Sequence, residues 1–388
     1  MQLGDMQLWL QQRREQGLYR QEQQVQTLAD GMLLWQGTSL LNFSGNDYLA
    51  LASVPSLRQA LAEAAQQQGM ASTGSPLITG FQPAHARLSS VLCDWLGVEA
   101  VLLFSSGFAA NQAMLSSLVA ADDFLLLDKY CHASMQDLLI SAQRRFKRYP
   151  HQDFAALAQQ LTKAQDKSVV VATEGVFSMD GDITDSRALL ALLSARQPLL
   201  LDDAHGIGVL GEEGRGSWQH CGAKVMQLQC LMANFGKALA GQGGFLAGNR
   251  DVIDYIRQQS RHYIYSTALS PALCQAMLHS IDLCRREQWR RDKLADNISL
   301  FRQLSAAAGL TLTASDTAIQ PLLCADSASA LQWSQALKTA GIWLQAIRPP
   351  TVPQARLRIS LSAAHNSRQI RQLVDALIQT RPDTLALC

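Results

Sequence analysis

No apolar run in this 388-residue chain approaches the roughly 20 residues that a bilayer-crossing helix needs. Charge of one sign is also missing, since 33 Lys and Arg stand against 32 Asp and Glu, a net charge of +1. Without a basic face or a basic, aromatic stripe, neither nucleic acid nor a membrane is an expected partner. Cysteine pairs are lacking too. The eight cysteines, at 93, 131, 221, 230, 274, 284, 324 and 388, form no C-x-x-C and match no zinc spacing. They read as reduced thiols, and no metal site is expected. The opening stretch MQLGDMQLWLQQRREQGLYRQEQQ has no long apolar core and no small-residue cleavage site. No secretory leader is expected there, and a cytoplasmic location is.

What the chain has is apolar content, 48% of its residues, enough for a large core. Its length suits one large domain and a smaller one. Five short apolar runs, each closed by polar or small residues, alternate with helix-like segments: AVLLFSS (100–106), FLLLD (124–128), SVVVATEG (168–175), PLLLDDAHG (198–206) and LQCLMANFG (228–236). Strands covered on both faces by helices read this way, so a parallel α/β sheet is expected. The N-terminal stretch to about Gln26 reads as a polar surface helix. From Ser270 to Gly309 apolar residues recur at helical spacing, leading into a smaller α+β portion with strands at AIQPLLC and RLRISLS. The expected division is an N-terminal segment 1–45, a large domain 46–285 and a small C-terminal domain 286–388, with a cleft suited to a small molecule.

In open parallel sheets ligands collect beyond the carboxyl ends of the strands. The polar residues closing the apolar runs are Ser105 to Phe108, His132, Glu174 with Ser178, Asp202 with His205, and Lys237. In SSGFAANQAML, Gly107 permits a tight turn into an Ala-rich helix whose free N–H groups suit a phosphate, although taken alone an ordinary capped helix reads the same. Gly206, Gly208 and Gly211 spell the dinucleotide pattern G-x-G-x-x-G. They do not follow the strand directly, no helix opens there, and no acid stands about 20 residues on, so a nicotinamide site is excluded.

Lys237 sits in NFGKALAGQGGFLAG, and no carboxylate occurs between Gly214 and Arg250. Apolar surroundings lower a lysine's pKa toward the neutral amine, which a Schiff-base lysine requires. An aspartate closing a strand, Asp202 in DDAHG, can hold the protonated pyridine nitrogen of pyridoxal 5'-phosphate, whose aldehyde forms such a Schiff base. Each signal alone has an everyday alternative: a turn aspartate, a surface lysine on a glycine-rich loop. Thirty-five residues apart, after successive strands, they read together as one site.

The segments NFSGNDYLAL, GSPLITG, LFSSGFAANQA, TEGVFSMDGD, DDAHGIGVLGEEGRG, FGKALA and YIYSTALSP resemble, in order, the motifs of the α-oxoamine synthases. These are pyridoxal-phosphate enzymes of the aspartate-aminotransferase fold (fold type I) that join an amino acid to an acyl thioester with loss of carbon dioxide. The stretch IRPPTVPQARLRISLSAAH is similar to the branch that uses L-alanine and a pimeloyl thioester, on coenzyme A or on acyl carrier protein, in biotin biosynthesis. A sister activity with glycine or serine, or a catalytically impaired paralogue kept for binding, are the alternatives.

The resemblance implies a role for each matching position. Lys237 would carry the cofactor and later move the substrate's α-proton. Asp202 would pair with the ring nitrogen, His205 and Ser178 would face the phenolic oxygen, and His132 would stack on the ring and meet the substrate. Gly107 and Phe108 would form the turn at the cofactor. Ser266 and Thr267 would reach the phosphate of a second subunit's cofactor, implying a homodimer with shared sites. Asn46 and Arg358 would hold the amino-acid carboxylate, and Arg20 and Thr351 the acyl part. Four positions depart from the family pattern. Asn234 stands where a hydroxyl usually donates to the phosphate, a bond worth roughly 1.5–3 kcal/mol. Pro76 replaces a basic residue or glycine, and Ser89 and Ser90 replace acids.

Overall fold

Each of the five apolar runs is a strand of one seven-stranded sheet in the computed structural model, which describes residues 2–141 and 145–382. The spatial order is Ala100–Phe104, Gly244–Gly248, Cys230–Asn234, Leu199–Asp202, Val169–Glu174, Phe124–Asp128, Phe146–Tyr149. Most pairs are parallel, and the strands Val169–Glu174 and Ala100–Phe104 are buried at every position. That explains their unbroken apolar reading: helices cover both faces, so no residue has a solvent side. One element departs from the expectation of a parallel sheet. Gly244–Gly248 runs antiparallel between Ala100–Phe104 and Cys230–Asn234. Its glycines are needed for close approach, since a Cβ on Gly244 would sit 2.8 Å from the Gly107 backbone.

The polar N-terminal helix is shorter than its composition implies. It covers Leu3–Glu15 and ends where Gly17 takes a left-handed φ of 65°. The long helical stretch after Ser270 is two helices, Pro271–Arg286 and Gln288–Ala307, broken at Glu287, whose ψ of 65° is not helical. Both pack inward with residues such as Cys284, Ile281 and Phe301.

Two smaller sheets flank the seven-stranded one. Ile319–Leu323, Arg356–Ser360 and Ala346–Ile347 form an antiparallel sheet that carries Arg358. Strands Gln26–Thr27, Met32–Trp35 and Thr38–Asn42 form the other, completed in parallel by Ile342–Trp343. The N-terminal segment is therefore stitched by backbone pairing to residues some 300 positions later. Among the described residues all seven cysteines are free; Cys388 lies outside them. Among the described residues no helix is long and apolar enough to cross a membrane.

Candidate active site

Parallel strands all end on the same edge of their sheet, so residues that follow them in sequence meet in space. Asp202 and Glu174 close adjacent strands and are paired in register. Asn234 closes the next strand but one from Glu174, and Lys237 follows it by three residues. Burial is the main force on Lys237. It lowers the amine's pKa from 10.5 to about 8, Arg358 adds to this, and Asp202, Glu174 and Asp203 oppose it.

Asp202 is held on both oxygens. Oδ2 accepts from Asn111 Nδ2 at 2.7 Å, and Oδ1 accepts from the Ala204 N–H at 3.0 Å. The same Asn111 amide donates to Ser134 Oγ at 2.8 Å, and Ser134 Oγ is 2.9 Å from His132 Nδ1. The Ser134 N–H also donates to that nitrogen, so Nδ1 accepts and the ring's proton sits on Nε2. A relay of side chains thus fixes His132 relative to Asp202.

On the far side His205 is buried, and burial, Lys237 and Arg358 hold its pKa well below the usual 6.5. It is a neutral ring. His205 Nδ1 lies 2.8 Å from Tyr48 Oη, which donates to Asn46 Oδ1 at 3.1 Å. Tyr48 has no other proton to give, so His205 Nδ1–H donates to it and Nε2 is left as an acceptor. Asn46 Oδ1 also receives both terminal nitrogens of Arg358, at 3.4 Å each. Arg358 is buried, with Nε donating to the Ser178 carbonyl at 2.6 Å and Nη1 to Ser360 Oγ at 2.8 Å. Asn46, Ser178, His205 and Arg358, four residues expected from sequence, are therefore one bonded group, with Tyr48 as the link that sequence reasoning missed.

Gly107 opens the helix Gly107–Leu118 behind Ser106, whose Oγ accepts from the Ala109 N–H at 3.0 Å. Asn234 lies against this turn: a Cβ on Gly107 would meet Asn234 Cβ at 3.2 Å and Nδ2 at 3.3 Å. Phe108 is exposed. Pro76 opens a single wide helical turn, Pro76–Gly80, whose last N–H bonds back to the Ser75 carbonyl. Ser266 is half-buried and Thr267 exposed. Arg20 and Thr351 come together in a separate cleft of about 430 Å³ with Trp9, Arg13, Tyr19 and Arg348. That cleft lies beside Ala346–Ile347, the neighbour of the strand carrying Arg358.

The G-x-G-x-x-G segment serves packing. Asp203 Oδ2 accepts from the Ser217 N–H at 2.8 Å, and a Cβ on Gly206 or Gly216 would strike an Asp203 oxygen at 2.1 Å. Backbone crowds this buried acid, so glycine is required.

A family model described as Aminotransferase class I and II matches residues 38–377. The chain belongs to that family. Within it, the 8-amino-7-oxononanoate synthase of Aeromonas hydrophila is 44% identical over 378 residues, 97% of this chain and 94% of that protein. The enzyme of the same name from Vibrio vulnificus strain CMCP6 is 44% identical, covering 95% of each. Among solved structures, Sphingomonas wittichii serine palmitoyltransferase superposes with a TM-score of 0.92 at 26% identity, covering 98% of each chain. The 8-amino-7-oxononanoate synthase of Francisella tularensis gives 0.77 at 29%, covering 88% of this chain and 97% of that one.

The fold is that of the pyridoxal-phosphate enzymes in this family, and the cofactor is pyridoxal 5'-phosphate. The donor set fits it. Lys237 supplies a buried amine of lowered pKa, Asp202 an anchored carboxylate, and Asn111 Oδ1 and Glu174 Oε1 are buried polar atoms with no partner among the described residues. A polar, flat group with a ring nitrogen and hydroxyl matches those needs.

Proposed function

We propose that this protein condenses L-alanine with a pimeloyl thioester, carried on coenzyme A or acyl carrier protein, giving 8-amino-7-oxononanoate, carbon dioxide and the free thiol. The observation that carries the reading is the placement of Lys237 at the end of the strand Cys230–Asn234, beside Asp202, in a chain whose 44%-identical relatives bear that enzyme's name. When bound, the cofactor supplies an electron sink for negative charge at the amino acid's α-carbon. Lys237 Nζ would hold its aldehyde carbon and, as a free amine, would carry the α-proton of alanine. Asp202 would hold the protonated ring nitrogen, and Asn111 keeps Asp202 in place. His205 and Ser178 would lie toward the phenolic oxygen, and His132 would cover one ring face. Arg358, with Asn46, takes the carboxylate of alanine in a two-pronged grip. Gly107, Phe108 and Asn234 would hold the phosphate end. Arg20 and Thr351 orient the acyl chain.

The same reading divides the chain into an N-terminal segment 1–45, a cofactor-binding domain 46–285 and a small domain 286–388. It makes the active form a homodimer. Exposed Leu77, Ile78 and Phe81 lie beside exposed Tyr265, because the Ala268 N–H bonds to the Gly74 carbonyl and Gly80 packs on Ala268. A second copy covers that apolar face, and Ser266 and Thr267 then reach the partner's phosphate.

The test is thiol release from pimeloyl-coenzyme A and from pimeloyl-acyl carrier protein, with L-alanine, glycine and L-serine compared. Release with alanine and a pimeloyl donor supports the reading. A preference for glycine or serine with another acyl group would move the chain to a sister activity, a reading favoured by its likeness to serine palmitoyltransferase. Mixing Lys237→Ala with Thr267→Val subunits tests the shared site: activity regained on mixing supports it, and none regained counts against it.

A further inference from the structure

Apart from the groups already described, a half-buried charged cluster ties together two loops that carry site residues. His151 follows the edge strand Phe146–Tyr149. Its Nδ1 lies 3.0 Å from Asp128 Oδ1 and its Nε2 lies 2.8 Å from Asp182 Oδ2. A neutral imidazole has one N–H and could serve only one of these carboxylates; the imidazolium serves both. Burial pulls the ring's pKa down, yet the hydrogen bonds and charges of Asp128 and Asp182 outweigh it and raise the value to about 10. Tyr130 stacks on one side at 4.4 Å between centroids, and Phe177 meets the ring edge-on at 4.4 Å.

The two carboxylates belong to different parts of the site. Asp128 ends the strand Phe124–Asp128 and shapes the turn into His132: its Oδ1 accepts from the Tyr130 N–H and its carbonyl from the Cys131 N–H. Asp182 sits in the loop from Phe177 to Ile183, closed by the Phe177 N–H to the Asp182 carbonyl at 3.0 Å, and this loop carries Ser178. From the other side the loop is gripped by the C-terminal sheet. Arg356 pairs with Asp180 at 2.6 Å, Arg358 donates to the Ser178 carbonyl, and Ser315 Oγ donates to the Gly181 carbonyl at 2.9 Å. Arg358 therefore cannot move on taking up a carboxylate without pulling on Ser178, and from the sheet side the loop is held by the charged His151 bridge together with its neutral neighbour Gln152, whose N–H donates to Asp128 Oδ2 at 2.9 Å and whose amide donates to Asp182 Oδ2 and to the Ile183 carbonyl.

We propose that His151 is a positioning residue: a cation bonded at both ends, it locks the Ser178 loop to the His132 turn. The spacing of the two side chains that flank the cofactor then survives substrate binding at Arg358. This rests on the roles given above to His132, Ser178 and Arg358, and deepens them.

The test uses the holoenzyme and His151→Phe, which keeps the ring between Tyr130 and Phe177 but removes both donors. The pH midpoint of the bound cofactor's visible band should move, and kcat should fall about tenfold or more, while KM for the acyl thioester stays within about threefold. In His151→Ala, added imidazole should restore turnover, with less imidazole needed at about pH 6, where free imidazole is mostly the cation, than at about pH 9. Asp182→Asn, which removes the charge at the loop end of the bridge and leaves an acceptor oxygen, should shift kcat and the midpoint in the same direction by less. If His151→Phe binds cofactor with kcat and midpoint unchanged, or if it fails to fold and Asp182→Asn leaves both unchanged, the proposal is overturned. The cofactor band needs no acyl substrate, so a wild-type protein that fails to use alanine and a pimeloyl donor would sink the proposed reaction and leave this test standing.

Discussion

Asn111 Nδ2 donates to Asp202 Oδ2 at 2.7 Å across 91 positions of chain, from the helix behind the Gly107 turn to the end of a central strand. Both residues are buried, so the bond is made where water does not compete. Hydrogen bonds to charged groups are worth about 1.5–3 kcal/mol. Asn111→Ala should weaken cofactor binding by roughly ten- to a hundredfold, because Asp202 then turns away from the ring nitrogen. Absorbance titration of the cofactor-free protein measures this, and unchanged affinity would refute the role.

The Lys237 amine should be an unusually ready nucleophile. With its pKa brought to about 8, chiefly by burial, much of it is neutral at pH values where ordinary lysines are almost fully protonated. The rate of adduct formation between cofactor-free protein and pyridoxal should therefore rise with a midpoint near about 8. Borohydride trapping and peptide mass spectrometry should place the adduct at 237, and Lys237→Ala should abolish it.

Arg358→Lys keeps the charge and discards the fork. Lysine cannot reproduce donation to Ser178, Ser360 and Asn46 at once. KM for alanine should rise about tenfold or more. A steady-state titration of the amino acid, with thioester saturating, reads the effect directly; an unaltered KM would remove Arg358 from the carboxylate grip.

Asp203 predicts a pH dependence of stability. Burial is the main cause that raises its pKa from 3.8 to about 7. The folded state therefore holds a proton that the unfolded chain has already released. Its contribution is complete below 3.8 and is lost as pH rises through about 7. Denaturant midpoints of the cofactor-free protein should decline over that interval, and Asp203→Asn, of the same shape and without a charge, should flatten the decline. Identical slopes for the two proteins would contradict this.

The strand ends were readable because each signal is local: an apolar run buried on both faces, then the first polar residue at the sheet edge. Asp202, Glu174 and the Ser106–Gly107 turn follow from that rule, and Lys237 from its apolar, carboxylate-free neighbourhood. The strand Gly244–Gly248 was not readable, since small residues between glycines look like a loop until two neighbouring strands pair with them. Tyr48, Asn111 and Ser134 lay inside or near recognised motifs, yet nothing in their own neighbourhoods names their partners. Tyr48 meets His205 across 157 positions. His151 carried no local signal at all; two aspartates from different loops give it its charge.

Sequence alone determined the sheet-building runs, the lysine and aspartate at their ends, and hence the chemistry available, because burial pattern and polar punctuation are properties of contiguous residues. Tertiary structure decided which groups hold one another: Asn111 on Asp202, Tyr48 between His205 and Asn46, Arg358 on the Ser178 loop, and His151 bridging two carboxylates. A hydrogen bond depends on positions within a few ångströms, and only the folded chain fixes those for residues distant along the sequence.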